Sequence, residues 1–305
     1  MTQHEIRLAA APVSWGITEV AAEAPRLPWH QVMDEIAQAG YAATELGPYG
    51  YYPTDPRELR AALAVRGLEL TSAFVPLPLH DAAAFEQAQE EALRIAQLLA
   101  ELDAEYIVLS SASDERRSAL AGRVPADGSA GLSEAQWRAA AAGLEALAHR
   151  CRELGLRAVF HHHAGTYIET PQELAQLCQL TDPDLIGICL DTGHYVYGGG
   201  DPRAALATYG ERIRYVHLKD IDLAKLEQAR IAGWNFVAAV ERGIFTALGR
   251  GGAAIAGCVA DLIARGYRGW AVVEQDILGE RDAEGRTPLD GMTAARAYLR
   301  DLGLD

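Results

Sequence analysis

The sequence predicts a (β/α)₈ barrel, one domain over residues 1–305, and three observations carry that expectation. Short apolar runs recur eight times, with amphipathic helical patterns between them at intervals of roughly 30–40 residues. No Pro/Gly-rich or charged linker separates one part of the chain from another. The rival arrangement, an open doubly wound sheet, would want a Gly-rich phosphate turn after its first strand. Pro12-Val-Ser-Trp-Gly16 contains no such motif.

Each element has its own signal. Leu8 to Ser14 reads as strand one, closed by Trp15-Gly16. Pro28 and the spacing of Val32, Ile36 and Ala37 predict a helix that stops at Gly40. Tyr41 to Leu46 is strand two, and Asp55-Pro56 caps a helix running to Gly67. Leu68 to Val75 is strand three, and a long helix from about Ala82 to Leu102 leads to strand four, Tyr106 to Ser110. Ser111 to Gly131 is polar, with Gly and Pro, and reads as a long loop on the ligand side. Ser133 opens an Ala-rich helix that Gly155 stops, and the stretch Ala158 to Thr166, a short apolar strand ending in three histidines, is strand five. Thr170-Pro-Gln-Glu173 is a capping box for the next helix. Leu185 to Asp191 is strand six, Asp201-Pro202 starts helix six, and Ile213 to Leu218 is strand seven. The stretch from Ile221 to Gly252 is longer than one connection requires; it holds an extra helical segment, Leu226 to Val240, before a glycine-rich loop. A helix near Ala253 to Arg265, strand eight from Gly269 to Gln275, and a last helix from Leu289 to Leu302 complete the barrel.

Bulk properties narrow the function. The chain has 27 basic against 42 acidic residues, a formal net charge of −15, which repels nucleic acid and anionic membranes. Cys151, Cys178, Cys189 and Cys258 form no CxxC pair, so neither a disulfide framework nor a zinc ribbon is indicated. The first residues, MTQHEIRLAAAPVSWG, are too short in apolar length for a signal peptide, and no run approaches the ~20 residues of a membrane span. A cytoplasmic protein without nucleic-acid or membrane partners is expected.

In such barrels the chemistry sits at the C-terminal strand ends, because the βα loops form the top of the pocket. Six of nine histidines fall there: His80, His161, His162, His163, His194 and His217. His4, His30 and His149 do not, and read as surface or packing residues. Alternate strand residues share a face, so His161 points with His163 and away from His162. The same rule pairs His217 with Lys219, and Glu274 with Asp276. Unpaired buried polar groups are costly, so this concentration reads as a site rather than as packing. Asp191, Glu274 and Asp276 would repel one another in a confined pocket, and a cation removes that conflict. One ligand per strand gives His161, Asp191, His217 and Glu274. Mixed imidazole and carboxylate ligands suit Mn²⁺, Co²⁺, Fe²⁺ or Zn²⁺. Glu45, at the end of strand two, faces the pocket and is expected to support a ligand or bind a substrate hydroxyl.

Asp191-Thr-Gly-His194, Val216-His-Leu-Lys-Asp220 and Val273-Glu-Gln-Asp276 carry a resemblance that runs over nearly the whole length. The chain resembles the sugar phosphate isomerase/epimerase superfamily, whose fold is the xylose isomerase-like TIM barrel. That resemblance implies a Glu, Asp, His, Glu metal set on strands five to eight, hence Asp191, His217 and Glu274. At the first position many members have Glu-x-His, where this chain has His161-His-His163. Within the superfamily the chain looks like the inosose dehydratases. The matching pieces are Ala11-Pro-Val-Ser-Trp-Gly16, Gly40-Tyr-Ala-Ala-Thr-Glu-Leu-Gly47, His161-His-His-Ala-Gly-Thr166 and Gly243-Ile-Phe-Thr-Ala-Leu-Gly-Arg-Gly251.

The resemblance implies a lyase that dehydrates 2-keto-myo-inositol through an enolate, with a divalent metal as Lewis acid; Mn²⁺ or Co²⁺ are favoured over Zn²⁺, Fe²⁺ or Mg²⁺. His163, on the inward face with His161, is the candidate base or acid. Lys219 is the candidate donor to the oxyanion or the leaving hydroxyl, and it is one of only two lysines, with Lys225. His194 is a further catalytic or substrate-contacting candidate. Trp15 and Trp234 are expected as apolar walls for the polyol ring, and His80 and Asp276 as substrate contacts. Barrels of this kind pair through loops at their ligand-bearing face, so a homodimer or homotetramer is the expected assembly. The rival readings are a ketose isomerase or epimerase, a non-catalytic polyol-binding barrel, and a DNA-repair endonuclease that the charge of −15 opposes.

Overall fold

The computed structural model describes residues 6–18, 27–279 and 281–304; His4 lies outside the described residues. Eight parallel strands follow one another around a barrel, each joined to the next through helix. In chain order the strands are Ile6–Ala10, Ala43–Thr44, the divided third strand Glu69–Leu70 and Phe74–Leu77, Tyr106–Ser111, Arg157–His161, Ile186–Asp191, Ile213–Leu218 and Gly269–Val273. Strand one pairs with strands two and eight, so first and last elements meet.

The third strand closes the circle by breaking in two. Glu69–Leu70 pairs with strand two, while Phe74–Leu77 pairs with strand four. The residues between them serve both sides: Ser72 O accepts from Leu46 N, and Thr71 O and Ala73 O accept from Tyr106 N and Val108 N. The sequence reads one continuous strand here, since periodicity does not register a change of partner.

Other departures are local. Strand one ends at Ala10, and Pro12–Trp15 forms a 3₁₀ turn instead of its second half; Pro12 has no N–H to give a neighbouring strand. The Ser111–Gly131 segment holds a five-residue helix, Glu115–Ala119, capped by Asp114. A helix over Thr192–Tyr197 follows strand six directly. The extra helical segment is two helices, Leu223–Ala232 and Phe236–Glu241, separated at Gly233 (φ 68°), with Asn235 capping the second. Phe245–Thr246, expected as loop, pairs antiparallel with Asp220–Ile221.

The helices form where their caps say. Asp55, Ser133 and Thr170 each accept backbone N–H bonds at an N-terminus, and the capping boxes of Ser133–Gln136 and Thr170–Glu173 are complete. The apolar faces of the helices bury Leu, Ile, Met and Ala side chains against the outside of the barrel. A second, narrow core lies inside it: Ala9, Ala11, Ala43, Tyr106, Val108, Val159, Cys189, Tyr215, Trp270 and Val272. Beyond Ala43, Val159, Cys189, Tyr215 and Val272, the same alternation places Glu45, His161, Asp191, His217 and Glu274 two residues further on.

The Ser111–Gly131 segment is part of the structure rather than a solvated excursion. Arg117 is fully buried, and its Nη1 and Nη2 donate to Glu173 Oε1 and Oε2 at 2.8 and 3.1 Å. That pair anchors the segment to the helix Pro171–Leu180, so Ser111, Ala112 and Ser113 reach the pocket wall. No helix among the described residues is long and apolar enough to cross a membrane. Removing one partner of a buried ion pair leaves an uncompensated charge at a cost of about 3–5 kcal/mol. Arg117→Met is therefore expected to lose about 3 kcal/mol in urea unfolding; a loss near zero would mean the pair does not hold the segment.

Candidate active site

Inward alternation carries five strands past the apolar core and into one cavity. Val159 is followed by His161 and His163, Cys189 by Asp191, Tyr215 by His217 and Lys219, Val272 by Glu274 and Asp276, and Ala43 by Glu45. The cavity is about 320 Å³, with Glu45, His161, His163, His217, Lys219, Glu274 and Asp276 among its lining residues. Register brings Asp191 opposite His217 on adjacent strands.

One ligand atom each from His161, Asp191, His217 and Glu274 lies within 4.8 Å of the other three. His161 Nε2 is 3.5 Å from Asp191 Oδ2, and His217 Nδ1 is 3.3 Å from Glu274 Oε2 and 3.7 Å from Asp191 Oδ2. Asp191 divides its labour. Its Oδ1 caps the following helix by accepting from His194 N at 2.8 Å, while its Oδ2 is buried without a hydrogen-bond donor. His217 Nδ1 is likewise buried without a hydrogen-bond partner. Each has a charged neighbour at 3.3 Å, Lys219 Nζ for the oxygen and Glu274 Oε2 for the nitrogen, but no hydrogen bond, and both are free to ligate a cation. A four-coordinate ion with N and O ligands fits the set.

Glu45 stands behind His217. His217 Nε2 is 3.1 Å from Glu45 Oε1, and the carboxylate also accepts from Ser72 Oγ at 2.8 Å with the Tyr215 hydroxyl 3.0 Å away. Burial by itself would lower the His217 pKa, but charged neighbours on both sides, the carboxylates of Glu274 and Glu45 among them, hold it well above the usual imidazole value. With an ion among the ligands, Glu45 on Nε2 would hold the proton there and turn the Nδ1 lone pair toward it.

Lys219 is fully enclosed, its ammonium 2.7 Å from Asp276 Oδ1, 2.9 Å from Glu274 Oε2 and 3.3 Å from Asp191 Oδ2. Burial by itself would lower its pKa, but Asp191, Asp276 and Glu274 outweigh that and hold it well above the usual lysine value. Burial would likewise raise Asp191; Lys219 and His194 hold it well below the ordinary carboxylate range. Asp276 is pushed up to about 6, chiefly by burial and against the pull of Lys219. Thr192 fixes the lysine backbone, its Oγ1 donating to Lys219 O at 2.7 Å and accepting from Lys219 N at 3.0 Å. Gly193 clears the way for the stem: a Cβ there would stand 2.8 Å from Lys219 Cγ.

His163 Nδ1 is 2.8 Å from Ala164 O, which fixes the proton on Nδ1 and leaves Nε2 as an acceptor. Its ring lies between those of Phe74, His194 and Phe236, and burial pushes its pKa down to about 3, so the imidazole is neutral. His194 lies deeper, facing both Ala164 N–H at Nδ1 (3.2 Å) and the Lys219 ammonium at Nε2 (3.1 Å). A neutral imidazole has one lone pair, and the charged donor is the stronger claimant. His162 points out of the pocket against Tyr195 and accepts from Asp191 N, a packing and support role.

Three expected contacts are not in the cavity. Trp15 is core, its Nε1 donating to Glu35 Oε2 at 2.7 Å, because the turn after Ala10 directs it outward. Trp234 lies at a helix end under Arg242, and His80 stacks on Tyr167 beside Asp114. The apolar walls come instead from Phe74, Phe236, Val13, Ile17 and Ile277. Phe74 belongs to the second half of the broken strand and Phe236 to the inserted helix, and neither position carries a motif. Asp220, the last residue of the lysine motif, is structural: its carboxylate accepts from Gly249, Gly251 and Ala253 N.

The family model described as xylose isomerase-like TIM barrel matches residues 33–302. An inosose dehydratase of Geobacillus kaustophilus (strain HTA426) is 34% identical over 98% of this chain and 95% of its own. A second, from Lacticaseibacillus casei (strain BL23), is 30% identical over 98% and 97%. Among solved structures, the probable 3-DHS dehydratase AsbF of Bacillus anthracis superposes with a TM-score of 0.71 at 16% identity, over 97% of this chain and 99% of that one.

Partners that orient metal-binding histidines commonly contribute 10–100-fold in affinity. Glu45→Gln, whose amide can present an N–H to His217 Nε2, should therefore weaken Mn²⁺ binding about 10–100-fold in calorimetric titration, with the melting temperature little changed. Undiminished affinity would show that Glu45 does not set the tautomer.

Proposed function

The chain belongs to the xylose isomerase-like TIM barrel family, as a lyase of the dehydratase type, and we propose that it removes water from a keto-cyclitol such as 2-keto-myo-inositol in a reaction that depends on a divalent metal. The enzyme class rests on full-length relatives at 30% identity and above that are inosose dehydratases. The observation that carries the finer reading is the pocket's pairing of a neutral imidazole acceptor, His163, with a charged buried donor, Lys219, beside one four-residue ligand set.

Loss of water β to a ketone needs a base for the α-proton, a stabiliser for the enolate, and an acid for the departing hydroxyl. His161, Asp191, His217 and Glu274 would hold the divalent ion, which would supply Lewis-acid polarisation of the carbonyl when bound. His163 takes the α-proton at Nε2, since its Nδ1 is committed to Ala164 O. Lys219 presents ammonium hydrogens toward the oxyanion or the leaving hydroxyl, and Asp276, 2.7 Å from Nζ, holds it there and can return a proton to it. Phe74 and Phe236 keep water from the ring faces. The substrate is small and neutral, which suits a pocket whose fixed charges are concentrated at its floor.

Two outcomes test this reading. Metal-reconstituted protein should convert 2-keto-myo-inositol to a dione followed by its absorbance, chelation should abolish the signal, and Mn²⁺ or Co²⁺ should restore it. Turnover of ketohexoses alone, or full rate after chelation, would overturn it. General acid–base groups contribute typically 10²–10⁴-fold. Lys219→Met should accordingly lower kcat by at least about 10²-fold with little change in affinity for the ligand-set ion, whereas Glu274→Gln should lose metal binding itself with the fold retained by circular dichroism.

A further inference from the structure

Beside the four-residue ligand set lies a second cluster with the chemistry of a metal site. His163, His194 and Asp276 bring ligand atoms within 4.8 Å of one another. Two neighbouring sets of imidazole and carboxylate ligands are the layout of a two-ion centre, whose ions sit about 3.5–4 Å apart. Here the chain places its own cation in that layout. Lys219 Nζ is 2.7 Å from Asp276 Oδ1 and 3.1 Å from His194 Nε2, both in the second cluster. It is also 2.9 Å from Glu274 Oε2 and 3.3 Å from Asp191 Oδ2, both in the first.

We infer that the Lys219 ammonium occupies the position of a second divalent ion, so that the protein takes one ion per chain and carries a latent second site at His163, His194 and Asp276. The inference rests on the metal reading above. The ammonium already spans carboxylates of both sets, Asp191 and Glu274 on one side and Asp276 on the other. A lysine is suited to the place because its ammonium is a compact point charge with three rotatable donors; the planar fork of arginine needs more room. That accounts for a lysine at this position in a chain where 25 of 27 basic residues are arginine. The fit is built rather than incidental, since Thr192 clamps the backbone of Lys219 on both sides and Gly193 makes room for its stem. The substitution also changes what the site can do. A second ion would polarise a substrate oxygen directly, whereas the ammonium acts on it through N–H hydrogen bonds.

The test is a metal count on metal-free protein titrated with Mn²⁺, by calorimetry and by elemental analysis after desalting. Wild type should bind one Mn²⁺ per chain, with no second equivalent at millimolar Mn²⁺. Lys219→Ala and Lys219→Ser should each bind two, with a spin-coupled Mn²⁺ pair in the electron paramagnetic resonance spectrum. Adding Asp276→Asn to either should return the count to one. Two ions in the wild type would overturn the inference, as would a single ion in variants whose near-ultraviolet circular dichroism is native. No ion in the wild type would instead sink the metal reading, and this inference with it. Because the wild-type count alone can refute it, the proposal stays exposed even if one variant fails to fold.

Discussion

The constraint on which the rest depends is the two-residue alternation of strands inside a closed barrel. Only inward positions reach the axis, and the lower layers are filled by Val159, Cys189, Tyr215, Trp270 and Val272. The next inward positions on the same strands are His161, Asp191, His217 and Glu274. A slip of one residue in any of these strands would send its polar group into the outer helical layer and a neighbouring side chain into the site. Packing of the inner core therefore fixes the geometry of the pocket.

Putting several ionisable groups at the bottom of a cavity is costly, and the structure offsets the cost with matched partners. Lys219 lies among three carboxylates, Glu45 faces His217, and Asp191 spends one oxygen on a helix cap. Truncating one member of such a set leaves the others uncompensated. The Asp191-Thr-Gly-His194 stretch shows how densely these roles are packed: one residue caps a helix and turns its other oxygen to the cluster, the next clamps Lys219, the third admits its stem, and the fourth faces its ammonium.

The pocket sets a charged, buried donor, Lys219, beside the His161, Asp191, His217 and Glu274 cluster, and a neutral acceptor, His163, lines the same cavity. Phe74 and Phe236 supply its apolar walls.

Much of this was legible in the residues. Eight apolar runs, the caps at Asp55, Ser133 and Thr170, and the parity of the strand-end histidines are local signals, and local hydrogen bonding and side-chain direction are set within a few residues. The fold class and the grouping of His161 with His163, or His217 with Lys219, follow from them. The division of strand three, the outward turn of Trp15, the walls supplied by Phe74 and Phe236, and the seating of Lys219 among Asp191, Glu274 and Asp276 do not. Each depends on which residues, distant in the chain, the barrel brings face to face. Sequence periodicity determines which side of a strand a group takes; only closure of the barrel decides what that group meets there.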